Sequence, residues 1–89
     1  MIFRIRGKDY RGTSAVEVVR ALEREENKYH HRGGPIRQYL IWSLDQLRGS
    51  VCPRELGLSD KLDDEAVALG YLLLLDENGV GEMVSESSA

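Results

Sequence analysis

Residues 35–48 constrain this 89-residue sequence most, because turn signals bound an apolar pattern with helical spacing. Gly34 and Pro35 are typical of a helix start, and Gly49 is typical of a helix end. The apolar residues recur with a 3.6-residue period and predict a central helix whose core face is Ile36, Leu40, Leu44 and Leu47, flanked by Tyr39 and Ser43.

Ile41 and Trp42 fall outside this core face, and Trp42 shares its side of the helix with polar residues. One explanation is that another segment of the chain covers the indole ring. The other is that Trp42 anchors a binding partner, since Trp is enriched among the residues that contribute most of the binding free energy at protein interfaces. The sequence leaves both explanations open.

The N-terminal third of the chain predicts a β-hairpin followed by a helix. Residues 1–6 alternate apolar and basic side chains, Gly7–Asp9 is typical of a turn, and Tyr10–Arg11 predicts a short returning strand. A capping box at Ser14–Glu17 starts a helix that should reach about Asn27. Its core face is Ala15, Val18, Val19 and Leu22.

Residues 60–77 predict the last helix, which begins with a group of carboxylates that suit the helix dipole: Asp60, Asp63, Asp64 and Glu65. Asn78 and Gly79 should end it in a Schellman motif. Its most regular apolar face consists of Leu62, Ala66, Leu69 and Leu73.

Further apolar residues make the second half of this helix apolar nearly all round: Val67, Tyr71, Leu72, Leu74 and Leu75. Such a helix is either enclosed on most sides or placed in an interface. In an alternative interpretation, 71–75 is a strand that turns at 76–79 into a second strand over 80–84. Leu favours helix over strand, so the helix is preferred.

These elements predict an α+β fold in which an N-terminal β-hairpin packs against three main helices and one short helical turn over residues 50–57. We expect one small globular domain over residues 1–84 and a disordered C-terminal tail over residues 85–89. A two-stranded hairpin is not stable alone, so its apolar face must lie on the helices.

Composition narrows the environment and the possible functions. With Cys52 as its single cysteine, the chain forms no internal disulfide, and its N-terminus is not typical of a signal peptide. No apolar run is long enough to span a membrane, so we expect a cytoplasmic protein. Residues 1–48 carry 10 Lys/Arg and 6 Asp/Glu, whereas residues 49–89 carry 2 and 9, which makes the chain a charge dipole.

The loop before the central helix is a candidate anion-binding site, because basic side chains surround a Gly-Gly entry to a helix N-terminus. A tyrosine within it could stack on a nucleic-acid base. Together with the basic face of the hairpin, the candidate residues are Arg4, Arg6, Lys28, Tyr29, His30, Arg32, Gly33, Gly34 and Arg37. The competing interpretation is a solvated basic loop.

Catalytic and metal sites receive weaker support from the residues. His30 and His31 with Glu26 are a poor metal-ligand set, since adjacent histidines point apart. Nothing near Cys52 in the sequence would activate it as a nucleophile. The acidic group at 60–65 would also repel DNA from a helix-turn-helix arrangement. We therefore predict no enzyme, no cofactor and no metal.

The leading functional hypothesis is a small protein-interaction module, with a homodimer through the same surface as one form of it. The hypothesis depends on surplus apolar surface. The candidate interface residues are Ile41, Trp42, Tyr71, Leu74 and Leu75. The alternative is binding of nucleic acid or an anionic ligand through the basic hairpin face and the loop over 28–37.

Overall fold

The computed structural model describes residues 1–47 and 62–84 and confirms the α+β class. Its strands are β1 (Ile2–Ile5), β2 (Lys8–Arg11) and β3 (Gly81–Val84), and its helices are α1 (Ala15–Glu25), α2 (Ile36–Gln46) and α3 (Asp64–Glu77). The predicted short helical turn over 50–57, Cys52 and the predicted tail over 85–89 lie outside the described residues.

The predicted hairpin is present, but its turn is tighter than the sequence pattern indicated. Ile5 pairs with Lys8, so Arg6 and Gly7 alone form the loop. Both have positive φ, 53° at Arg6 and 80° at Gly7, as a type I′ turn requires. The second strand therefore begins at Lys8 rather than at Tyr10, because a type I′ turn matches the right-handed twist of the paired strands.

The hairpin is completed by β3, which the preferred interpretation of the sequence missed. The sheet order is β2-β1-β3 with both pairings antiparallel, so β1 is the central strand. Phe3 is completely buried in the core beneath this sheet. The alternative interpretation was right about a strand over 80–84 and wrong about 71–75, which is helical.

The first helix follows its sequence signals closely. Ser14 accepts a hydrogen bond from the Glu17 N–H at 3.3 Å, while the Glu17 carboxylate binds the N–H and hydroxyl of Thr13. The helix ends at Glu25, two residues earlier than predicted. Its predicted core face is confirmed, since all four members are buried: Ala15, Val18, Val19 and Leu22.

The central helix α2 begins one residue later than predicted, with Pro35 as the N-cap. Ile36, Tyr39, Leu40 and Ser43 are buried, while Leu44 and Leu47 pack half-buried against the core. The helix ends at Gln46, before the predicted end at Gly49, which lies outside the described residues.

The last helix begins at Asp64 rather than at residue 60, because Asp63 is the N-cap and accepts a hydrogen bond from the Ala66 N–H at 2.7 Å. Its predicted Schellman end is confirmed. The Val80 N–H donates to the Leu75 carbonyl at 2.9 Å, and the Gly79 N–H donates to the Asp76 carbonyl at 3.0 Å.

The most regular apolar face of α3 is not its buried face. The core side chains are the five that make the helix apolar nearly all round, together with Ala68: Val67, Tyr71, Leu72, Leu74 and Leu75. Because α3 packs against α1, α2 and β3, it must bury a wide arc, and this set spans a wider arc than the regular stripe. None of the helices within the described ranges is long and apolar enough to cross a bilayer.

Candidate interaction surface

The regular apolar stripe of α3 faces outward. We call this set the outer stripe: Leu62, Ala66, Leu69 and Leu73. Leu73 is 46% exposed, Leu62 is 40% exposed, Ala66 is exposed and Leu69 is half-buried. Leu62 precedes the N-cap Asp63, whereas Ala66, Leu69 and Leu73 lie within α3. These three are spaced by three and four residues, the spacing at which one helix contacts another in a coiled coil.

The surface beside the outer stripe is open to close approach. Gly70 lies next to it on the helix, and a Cβ atom built at Gly70 would meet no atom within 4 Å. Small residues such as Ala66 and Gly70 let a second backbone come near, while Leu69 and Leu73 supply apolar area. The outer stripe therefore has the shape and composition of a helix-docking surface.

Carboxylates frame the outer stripe at both ends. Asp63 and Asp64 lie between its first two members, Leu62 and Ala66, and Asp76 and Glu77 follow its last member, Leu73. Residues 62–84 contain six Asp/Glu and no Lys or Arg. Asp76 accepts a hydrogen bond from the Met83 N–H at 3.4 Å. Arg37 pairs with Asp64 at one end of the outer stripe, so the charge there is partly balanced and the excess of carboxylates is clearest at Asp76 and Glu77.

A further exposed apolar side chain lies on α2. Arg37 pairs with Asp64 at 3.5 Å, and the Ser43 hydroxyl hydrogen-bonds the Tyr71 hydroxyl, so α2 lies beside α3 with the two helices running in the same sense. Ile41, between these two contacts on α2, is 55% exposed.

Three of the other predicted interface residues are buried, and the fourth, Trp42, is half-buried. Tyr71 is 2% exposed, Leu74 is 5% exposed and Leu75 is 1% exposed, so these three side chains are core. Trp42 is half-buried, and the Tyr29 ring lies against it at 5.1 Å. Tyr29 is the covering residue that the first explanation for Trp42 required. Of the predicted interface set, Ile41 alone is a large exposed side chain.

The predicted anion-binding residues are divided between separate places. Arg4 pairs with Asp9 at 2.7 Å and with Glu82 at 3.6 Å, and Arg37 pairs with Asp64. Arg4 and Arg6 line a groove that also contains Asp76 and Glu82, and no residue of the 28–37 loop lines it. Carboxylates beside Arg4, Arg6 and Arg37 weaken the attraction of these arginines for an anion.

The loop over 28–37 is partly built into the fold. Tyr29 is 3% exposed and packs edge-on against Tyr39 at 5.1 Å, so its ring is not available to stack on a base. Arg32 donates to the Glu26 carbonyl at 2.5 Å, while Lys28 and His30 are exposed. Gly33 has a φ of 86°, which favours glycine at that turn.

A basic groove lies on α1, where sequence reasoning placed no site. It has a volume of about 430 Å³ and is lined by Arg11, Arg20 and Arg24 together with Gly12, Thr13 and Glu17. Arg20 donates to the Gly34 carbonyl at 2.9 Å and pairs with Glu23 at 3.1 Å, which fastens the loop to α1. The sequence signal was a pair of arginines four residues apart on the outward face of α1.

Comparison with known proteins supplies no relative: no protein-family model, curated protein or solved structure matches the chain at a significant level.

Proposed function

We propose that this chain is a non-catalytic protein-interaction module that docks a partner helix on the outer stripe of α3. The observation that carries the proposal is a second regular apolar stripe on a helix whose opposite side already forms the core. Contiguous exposed apolar surface of this kind is typical of protein contact sites. The expected absence of catalysis and the expected cytoplasmic location remain predictions.

Charge determines what kind of partner fits. Carboxylates lie at both ends of the outer stripe, at Asp63 and Asp64 and at Asp76 and Glu77. A partner helix with an apolar face and Lys or Arg beside it would complement this surface. Basic flanks would raise the association rate and disfavour acidic competitors.

A second copy of the chain is a poorer occupant of the same surface. If two α3 helices met antiparallel, Asp63 and Asp64 of one copy would approach Asp76 and Glu77 of the other. If they met parallel, like ends would meet. Either arrangement brings carboxylates together, and like-charge juxtaposition opposes association. The predicted homodimer is therefore treated as an outcome of the experiment.

The experiment uses two synthetic helical peptides with the same leucine stripe, one flanked by lysines and the other by glutamates. Fluorescence anisotropy with the labelled peptides should show binding of the lysine peptide and much weaker binding of the glutamate peptide. Leu73→Ser and Leu69→Ser should each weaken binding about 5- to 30-fold, since each removes buried apolar area from the contact.

The matched control is Gln46→Ser, which changes an exposed polar position on α2 and should leave binding unchanged. Ile41→Ser tests whether the contact extends to α2. Equal binding of the two peptides would remove the charge argument, and unchanged binding by both leucine variants would remove the outer stripe from the site. A concentration-dependent dimer that Leu73→Ser dissociates would identify a second copy as the occupant.

Anion or nucleic-acid binding is kept as a second candidate function because of the groove lined by Arg11, Arg20 and Arg24. Its test is binding of a labelled single-stranded oligonucleotide at several salt concentrations. Phosphate contacts predict affinity that falls steeply with salt and is lowered by Arg24→Gln or Arg32→Glu. Affinity that does not respond to salt would eliminate this candidate.

A further inference from the structure

A cavity of about 370 Å³ opens where the turn end of the hairpin meets the helical layer. All three helices and the residue that precedes β3 contribute to its wall. Among the described residues, the aliphatic part of the wall is formed by Ile5, Leu22, Leu47, Leu75 and Val80. Its size and apolar lining are those of a pocket for a small organic molecule.

Hydroxyl groups converge at the inner end of this cavity. Tyr39, Ser43 and Tyr71 line it and are 4%, 7% and 2% exposed, so they form its floor. The Ser43 and Tyr71 hydroxyls hydrogen-bond each other. Burial raises the pKa of Tyr71 to about 12 and also raises the pKa of Tyr39, so these phenols stay uncharged at neutral pH. Neutral hydroxyls can both donate to and accept from a ligand.

The mouth of the cavity carries balanced charge. Arg6 and Lys8 come from the hairpin, and Glu25 and Glu26 come from the end of α1 and its C-cap. Lys8 pairs with Glu25 at 2.8 Å across the space between hairpin and helix. Two cations and two carboxylates at the same rim give no preference for a charged ligand. Among the described lining residues, the polar side-chain atoms that remain to select a ligand are the hydroxyls of the floor and that of Tyr10.

We propose that this cavity binds a small neutral molecule with an apolar body and one terminal hydroxyl group, an alcohol or a phenol. The body would lie between Leu22 and Leu75, and its hydroxyl would join the Ser43–Tyr71 pair. This site is separate from the outer stripe of α3, because Tyr71 and Leu75 face the core side of that helix. A negative result for one of the two sites would therefore leave the proposal for the other site unaffected.

The test is an NMR titration of the ¹⁵N-labelled protein with 4-propylphenol and, as its matched control, propylbenzene, which lacks the hydroxyl. The phenol should shift the amide signals of cavity residues in a saturable way and bind about 3- to 10-fold more tightly than propylbenzene, the gain from one hydrogen bond. Absence of saturable shifts, or shifts confined to residues outside the cavity, overturns the proposal.

Two variants test whether the hydroxyl groups of the cavity floor cause the preference for the phenol. Ser43→Ala and Tyr71→Phe each remove one hydroxyl with little change of volume, and each should bring the affinities for the two compounds within about twofold of each other. Gln46→Ala, at an exposed position on α2 outside the cavity wall, should retain the preference. A preference for the phenol that survives both hydroxyl deletions overturns the proposed role of the floor. Two-dimensional spectra of the variants establish that each is folded.

Discussion

The carboxylate of Glu65, in the first turn of α3, accepts a hydrogen bond from the backbone N–H of Ala15, the first residue of α1, at 2.7 Å. Its other oxygen accepts from the Val16 N–H at 3.1 Å. One side chain thus binds two of the N–H groups that a helix start leaves unpaired. The negative charge also lies at the positive end of the α1 dipole. This contact joins two helices that are 50 residues apart in the chain.

Replacement of Glu65 by Ala should destabilise the fold by about 1–3 kcal/mol, since it removes two hydrogen bonds to a charged acceptor at a helix start. Glu65→Gln should cost less because the amide oxygen can still accept one of them. Urea unfolding followed by far-UV circular dichroism measures both free energies. Asp45→Asn, at an exposed position on α2, is the control and should change stability by less than about 0.5 kcal/mol.

The same substitution at two adjacent leucines of α3 should change the stability by very different amounts. Leu74 is 5% exposed, so Leu74→Arg buries an unpaired charge and should cost about 3 kcal/mol or more, enough to unfold a domain of this size. Leu73 is 46% exposed, so Leu73→Arg should stay within about 0.5 kcal/mol of the native stability. Thermal melts of the two variants make the comparison. Equal destabilisation would mean that the outer stripe is buried in solution.

Two glycines should likewise differ in the sign of their response to alanine. At Gly81 a Cβ atom would lie 2.7 Å from Cζ of the buried Phe3 ring, so Gly81→Ala should destabilise by about 1–3 kcal/mol. At Gly70 a Cβ atom meets nothing within 4 Å, and Gly70→Ala should stabilise α3 by about 0.5–1 kcal/mol. Chemical denaturation of both variants measures the two changes in unfolding free energy. If Gly70→Ala lowered the stability, Gly70 would not have the free space around it that the structure shows.

Acid should weaken the fold through three carboxylates. Hydrogen bonds from Thr13 lower the pKa of Glu17, the Lys8 ammonium lowers that of Glu25, and the Arg4 guanidinium lowers that of Asp9. A carboxylate whose pKa is lower in the folded state than in the unfolded state stabilises the fold. This stabilisation is complete at a pH above the ordinary pKa, which is 4.5 for Glu and 3.8 for Asp. That stability is lost as the pH falls through the lower folded-state values.

The measurement is the urea midpoint between pH 6 and pH 2.5, which should begin to fall near pH 4.5. The triple variant Glu17→Gln, Glu25→Gln, Asp9→Asn should start lower at pH 6 and decline less with acid. A decline that is identical in the variant and the native chain would show that these three contacts do not determine the acid response.

Local features of the fold could be predicted because they depend on residues close together in the chain. The core face of α1, the Ser14 cap and the Schellman end at Gly79 each depend on neighbours within five residues. The sequence alone did not decide whether another segment covers Trp42 or whether Trp42 anchors a partner. Tyr29 covers it, and this residue lies in a loop whose path the sequence pattern does not indicate.

The candidate site could be predicted only in kind. Surplus apolar surface on α3 was expected at Tyr71, Leu74 and Leu75, which are core. The exposed Leu73 and the half-buried Leu69 lie on the outer side instead. Periodicity shows that a helix has an apolar face, but it does not say which of two faces the neighbours will cover. The basic residues were also identified without their carboxylate partners, such as Asp9 for Arg4.

By itself, the sequence determined the presence of the helices and the hairpin, the Ser14 cap of α1, the Schellman end of α3 and the division of charge along the chain, because these depend on backbone preferences and spacing over a few residues. The tertiary structure decided which side of α3 is buried, that β3 pairs with β1, and that Glu65 caps α1. Each of these requires segments distant in the chain to meet, and the gain in buried area and paired hydrogen bonds exists only once they are packed together.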